Sequence, residues 1–278
     1  MTIPGQSGLH SEKIKPKIAS RVLNDKAELL SGKLAAEIMD LLEQRGVLVF
    51  PEIHFSDEEQ IAFTATLGGF VRELRGSDVY KITLDAGQNA SAEYLRGASY
   101  WHFDGYMSPM PVRASLLASK VLSPPGTGNT EFCNTYAAYE ALSDEDKKRL
   151  ENLRAVHSLA SSQLFVTPEP SYAKWQEWLA LGKKELPLVW THNSGRKSLV
   201  IGSAAHYIIG MNPIDSDDLL IRLRDFATQP EFHYAHEWKV GDLVMWDNTG
   251  TLHRATPYPL DCGRMLHRTK LEGDEPIV

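Results

Sequence analysis

The sequence predicts a β-rich α+β protein, with a jelly-roll type barrel at its core and helical insertions around it. Three observations carry that prediction. Short apolar runs bounded by turn residues fill 79–123 and return after residue 197. Amphipathic helical patterns fall between those runs. No regular strand–helix alternation of the kind a parallel sheet requires is present.

Residues 1–18 are polar and read as an extended lead-in. A first helix is expected over 27–45, with Leu30, Leu34, Ile38, Leu41 and Leu42 on one buried face and Gly46 ending it. "VLVF" (47–50) before Pro51 is a short buried strand. "FSDEEQIAFTATLGG" opens on a capping box, Ser56 with Glu59, and closes at Gly68, which makes a second helix. "ASLLASKVL" (114–122) is a strand, and "SPPGTGNT" a loop. Helices follow over 143–153, 171–182 and 216–227, each with a serine at its expected N-cap, and "SLVIG" (198–202) is a strand between them. "EFHYAHEW" alternates, a turn spans 239–242, "LVMW" is an apolar strand, and "RMLHRTKLEG" is the last. We read 1–278 as a single domain, in which 70–110 and 160–190 are segments whose loop geometry no motif reports.

Composition sets the broad class. Apolar residues make up 42% and charged residues 23%, as in globular proteins, and the net charge of −7 offers nothing to nucleic acid or an anionic membrane. Cys133 and Cys262 are the only cysteines, too few for a thiolate cluster and in keeping with an intracellular, cytoplasmic home. The N-terminus lacks the apolar core of a signal peptide, and no apolar run reaches the roughly 18 residues a membrane span needs.

The chemistry is concentrated in "SYWHFDGYM" (99–107) and "WDNTGTLHRA" (246–255). On a strand, His102 and Asp104 would point to one face, and His253 supplies a second imidazole. Two histidines and one carboxylate leave open positions on an octahedral metal, the ligand set of non-haem iron(II) oxygenases. Arg264, Leu266 and Arg268 alternate toward one side of the last strand. A buried guanidinium there needs an anionic partner, which a dicarboxylic co-substrate supplies. Thr130, after "GTGN", can donate a hydroxyl to the same carboxylate.

The order H-x-D, "GNTEF", "GDLVMWDNTGTLHRA", R-x-x-x-R resembles the taurine dioxygenase and 2,4-dichlorophenoxyacetate dioxygenase family over roughly residues 30–272. "AAYEALSDEDKKRL", "HSLASSQ" and "GRKSLVIGSAAHYIIGM" are similar to its aryloxyalkanoate-degrading members. The resemblance implies a double-stranded β-helix, iron(II) on His102, Asp104 and His253, and 2-oxoglutarate held by Arg264 and Thr130. It places Arg268 at the anionic group of the primary substrate, a small carboxylate or sulfonate, in a homo-oligomer. The implied reaction consumes O2, converts 2-oxoglutarate to succinate and CO2, and hydroxylates the substrate. Where that carbon carries an ether oxygen or a sulfonate, C–O or C–S cleavage follows. Asp104 favours hydroxylation over halogenation. Ala98 stands where taurine-acting members carry asparagine, and "VRELRGSD" lacks their substrate-binding histidine, so taurine is disfavoured.

Other readings use the same residues: desaturation or ring formation in a biosynthetic pathway, a zinc-dependent hydrolase, or a catalytically silent ligand-binding barrel. His157, His192, His206, His233, His236 and His267 read as structural or surface residues, with His267 facing away from the cavity. Trp101 and Trp246 read as packing beside the metal, and Arg72, Arg75 and Arg96 as solvated lid residues, any one of which could meet a substrate anion. "SYAKWQEWLALG" reads as a packing helix, and Cys262 receives no role.

Overall fold

The computed structural model describes residues 8–71 and 78–278. It is sheet-rich, with helices on one face of the main sheet and inserted between strands. The main sheet has seven strands in the order Ser11–Lys13, Ser20–Val22, Val47–Phe50, Leu243–Asp247, Ala114–Val121, Met265–Leu271, Tyr80–Ile82. Every neighbouring pair is antiparallel except Ser20–Val22 with Val47–Phe50. A three-stranded sheet, His233–His236, Thr130–Asn134 and Thr251–Ala255, is antiparallel throughout.

Strand alternation explains how these layers stack. Val47, Val49, Leu117, Val244, Trp246 and Leu266 leave one face of the main sheet and pack with Phe132 and Trp238 beside the small sheet. The intervening Leu48, Phe50, Leu116, Ala118, Leu243 and Met245 leave the other face and meet Leu29, Ile38, Leu42 and Phe63 from the N-terminal helices. Both faces are therefore buried, which is why "VLVF" and "LVMW" read as continuous apolar runs. A third core, around Leu186, Trp190, Leu219 and Phe232, joins the inserted elements. They include a sheet of Ala205–Ile208, Arg154–Ser158 and Lys183–Pro187 and the helix Pro213–Ala227.

Several expected elements differ in detail. The helix expected over 27–45 is two, Lys26–Leu30 and Ala35–Arg45. Ser31 Oγ turns back to the Glu28 carbonyl, and Gly32 takes φ +72°, a conformation that ends a helix and that other residues avoid. The helix expected from Ser216 begins at Pro213 and is capped by Asn212. Ser216 is buried inside it, accepting from the Ile208 amide. The strand expected over 198–202 is Lys197–Leu199 only. Ser56, Ser143 and Ser171 cap the helices Asp57–Leu67, Asp144–Leu150 and Tyr172–Ala180 as expected. No helix among the described residues is long and apolar enough to cross a membrane.

Candidate metal centre

His253 sits in the middle of strand Thr251–Ala255, where the alternation aims it into the space between the two sheets. His102 lies outside any named strand, on an isolated bridge whose two main-chain hydrogen bonds, of 3.1 and 2.8 Å, join it to His253. That bridge fixes the two imidazoles side by side, ring centroids 4.2 Å apart. Asp104 is on a bend rather than the strand expected from H-x-D. It converges because the chain turns there. One donor atom each from His102, Asp104 and His253 lie within 4.8 Å of one another.

The donor chemistry fits a divalent cation. His102 Nδ1 is 2.8 Å from the Tyr100 carbonyl, which can only accept, so Nδ1 carries the proton and Nε2 presents a lone pair. That lone pair faces Asp104 Oδ1 at 3.8 Å, too far for a hydrogen bond. A cation between them would satisfy both acceptors. Burial, with a lesser push from His102, holds the His253 pKa well below its ordinary value, so the ring is neutral as a ligand must be. Burial works to raise the Asp104 pKa, but neighbouring positive charge, that of the Arg268 guanidinium first, outweighs it and keeps the carboxyl well below its usual range. Nitrogen and oxygen donors without thiolate suit iron(II) better than a structural zinc site.

The rest of the predicted set lines the same cavity of about 90 Å³: Thr130, Arg264, Leu266 and Arg268, beside Leu117 and Trp246. Arg264 is buried and donates from Nη2 to the Gly128 carbonyl at 2.8 Å, its guanidinium lying 4.6 Å over the Tyr258 ring. Burial lowers its pKa, partly offset by Tyr258. Thr130 Oγ1 accepts from Trp238 Nε1 at 3.0 Å, which orients the hydroxyl hydrogen away from the indole. Arg268 Nη1 reaches Asp104 Oδ2 at 3.1 Å, and the guanidinium lies 5.1 Å from the Tyr80 ring centroid.

Ile82, Leu95 and Ala98 supply the apolar lining from 70–110, while 160–190 supplies no lining residue of this cavity among the described residues. Arg96 is exposed, and Arg72 and Arg75 lie outside the described residues. His267 turns away to Asp57, 2.8 Å distant. A larger hollow of about 580 Å³ opens behind Tyr100 and Trp101, along the helix Pro213–Ala227. It holds none of the three converging donors, so size does not locate the chemistry here.

Some contributors carried no legible signal. Tyr80 and Tyr258 became neighbours of the two arginines only through folding. Asn248 lies within "WDNTG", where nothing in its residue type marks a role. Its side chain accepts from the Asp104 amide at 2.8 Å and donates to the Asp104 carbonyl at 2.8 Å.

The model of the family described as "Taurine catabolism dioxygenase TauD, TfdA family" matches residues 10–270. The chain is 37% identical over 273 residues to the alpha-ketoglutarate-dependent 2,4-dichlorophenoxyacetate dioxygenase of Cupriavidus pinatubonensis, covering 91% of this chain and 93% of that one. It is 35% identical over 238 residues to the (S)-phenoxypropionate/alpha-ketoglutarate-dioxygenase of Sphingobium herbicidovorans, 82% of each. The crystal structure of AAD-2 with Mn(II) and N-oxalylglycine superposes with a TM-score of 0.83 at 33% identity, over 98% of this chain and 100% of that one.

Proposed function

Because the chain belongs to the TauD, TfdA family of dioxygenases, we propose that His102, Asp104 and His253 hold its iron and that Arg264 and Thr130 hold 2-oxoglutarate. The protein is a 2-oxoglutarate-dependent dioxygenase that uses iron(II) and O2. The observation that carries the residue assignment is the His102 Nε2 lone pair facing Asp104 Oδ1 across 3.8 Å, with the neutral His253 alongside. The two packed sheets with helical insertions support a double-stranded β-helix core within one catalytic domain.

Iron(II) bound there would couple O2 reduction to oxidative decarboxylation of 2-oxoglutarate, giving succinate, CO2 and a hydroxylated substrate. The chain's own residues do the positioning. Arg264, desolvated and stacked on Tyr258, offers a fixed cationic fork to the distal carboxylate, which restores the balance of a buried charge. Thr130 adds a hydroxyl from the first residue of strand Thr130–Asn134 in the small sheet. Ile82, Leu95, Ala98, Leu117, Trp246 and Leu266 keep the cavity apolar and exclude water from the oxidising centre.

For the primary substrate we propose a small aryloxyalkanoate. Its carboxylate would meet Arg268, and its aryl ring the apolar lining at Ile82, Leu95 and Ala98. Hydroxylation at the carbon bearing the ether oxygen gives an unstable hemiacetal that releases the phenol. The names of the relatives support this class, as does Ala98, which gives the lining a methyl group in place of a polar side chain.

An anaerobic titration tests the assignment. Fe(II) and 2-oxoglutarate together, and neither alone, should produce a weak visible band from keto-acid chelation, and His102→Ala, Asp104→Ala and His253→Ala should each abolish it. Succinate release with aryloxyalkanoates but not taurine should follow on admitting air. A band of wild-type strength in all three variants would defeat the assignment.

A further inference from the structure

The two histidines of the candidate centre are locked to one another by their main-chain bridge, whereas Asp104 lies on a bend. Among the described residues its amide and carbonyl make no main-chain bonds; both go to one side chain, Asn248. Asn248 Oδ1 accepts from the Asp104 amide at 2.8 Å, and Nδ2 donates to the Asp104 carbonyl at 2.8 Å. The same Nδ2 donates to the Val112 carbonyl at 2.9 Å, and the Asn248 amide donates to the Arg113 carbonyl at 3.0 Å. Asn248 is 1% exposed. It directly follows strand Leu243–Asp247, which is buried along its whole length.

We propose that Asn248 is a positioning residue for the metal carboxylate. It grips Asp104 on both sides of its Cα and ties the bend, together with the returning chain at Val112, to the main sheet. Without that grip the bend carrying the carboxylate would have only the Arg268 contact and the metal to order it, and the entropic cost would come out of the metal-binding free energy. Only a carboxamide offers one acceptor and two donors in this geometry. Aspartate would keep the acceptor and lose both donors, and serine is too short to span the bend.

The proposal rests on the metal assignment of His102, Asp104 and His253. Its test uses Mn(II), a redox-silent probe, in calorimetric titrations of the full chain. Asn248→Ala and Asn248→Asp should each weaken Mn(II) by about 10- to 100-fold, the range typical when a group supporting a ligand is lost. Leu219→Ala, a core truncation in the helix Pro213–Ala227, serves as a control for general destabilisation and should leave Mn(II) affinity alone. In the wild-type protein without metal, the Asp104 amide should already be protected from hydrogen exchange, a readout that does not depend on any variant folding.

Mn(II) affinities within about twofold of wild type in both variants would overturn the proposal, as would a loss matched by Leu219→Ala at equal melting temperature. An Asp104 amide exchanging at the rate of an open loop would overturn it too. Failure of the wild type to bind Mn(II) would instead strike the metal assignment.

Discussion

Arg268 Nη1 stands 3.1 Å from Asp104 Oδ2, so the residue proposed for the substrate anion is bonded to the residue proposed for the metal. The two carboxylate oxygens are thereby made unequal. Oδ1 faces His102 Nε2, and Oδ2 is capped by the guanidinium. Loss of the cap should disturb both functions. Arg268→Leu is expected to raise KM for a carboxylate substrate roughly 10- to 100-fold, the effect of losing a charge-assisted bond. It should weaken Mn(II) as well. Arg268→Lys should restore neither fully, because an ammonium cannot reproduce the planar fork. Calorimetry with Mn(II) and initial rates with substrate separate the two; unchanged metal affinity in both variants would remove Arg268 from the support of Asp104.

Gly128 gives a test of the co-substrate site that leaves every proposed ligand in place. It adopts φ +66°, and a Cβ there would come 2.3 Å from Ser123 Oγ and 2.9 Å from Arg264 Nε. The residue whose carbonyl accepts from Arg264 therefore also needs to lack a side chain for Arg264 to lie where it does. Gly128→Ala should displace the guanidinium and raise the KM for 2-oxoglutarate, with Mn(II) affinity unchanged. Arg264→Ala should go further, by roughly 2–3 kcal/mol in apparent 2-oxoglutarate binding. Equal KM values for wild type and Gly128→Ala would show that Arg264 does not depend on that turn.

The parts of this site that the sequence made legible are those where residue type alone limits the chemistry. His102, Asp104 and His253 suggest a metal by donor type together with the family resemblance, and Arg264 with Arg268 suggests anions by the cost of burying a guanidinium; the fold does bring all five to one cavity. Unbroken apolar runs likewise exposed "VLVF" and "LVMW", since both faces of the main sheet are covered. The illegible parts depend on chain path. H-x-D suggested a strand, yet Asp104 reaches the centre through a bend held by Asn248, 144 residues away. The helix expected over 27–45 breaks at Ser31 and Gly32, where a local side-chain bond and a left-handed glycine outweigh a continuous apolar stripe. Ser216 looked like a cap because its type suits one, but Asn212 and Pro213 stand in front of it and start the helix earlier.

His157 predicts a pH dependence of stability. It is fully buried beside Phe103 and Tyr106, with no hydrogen-bond partner on either ring nitrogen among the described residues. Burial lowers its pKa to about 4. A folded-state value below the unfolded one means that protons favour the unfolded chain. Stability should be unaffected by this group above the unfolded pKa of about 6.5 and should fall as pH drops from there toward 4. The loss attributable to it is about 3 kcal/mol, at roughly 1.4 kcal/mol per pH unit. Urea unfolding of wild type and His157→Leu across that window should show the variant keeping stability that the wild type sheds. Parallel curves would mean that His157 does not remain neutral.

The C-terminal segment supplies the last prediction. His192 Nδ1 lies 2.5 Å from Glu275 Oε1, and His192 Nε2 lies 2.8 Å from Ser198 Oγ. By residue type this is a serine–histidine–glutamate series, and a hydrolytic role would be the obvious reading. The geometry points elsewhere. Ser198 is 0% exposed and donates its hydroxyl hydrogen to the Thr249 carbonyl at 3.1 Å, so its oxygen receives the imidazole and has no path to a substrate. Glu275 Oε2 also accepts from the Asn193 amide at 2.8 Å, and Ile277 is buried in the core around Trp190. The series therefore ties the chain end to the body of the protein. Just upstream, the Leu271 carbonyl accepts from the Arg113 amide, next to the Val112 that Asn248 holds. Glu275→Ala leaves the buried imidazole and the Asn193 amide without their acceptor and should cost about 1–3 kcal/mol of stability for each donor left unpaired, read by urea unfolding. Ser198→Ala should cost far less, and a serine-reactive phosphonate should not label the wild type. Labelling at Ser198, with stability indifferent to Glu275, would return the series to catalysis.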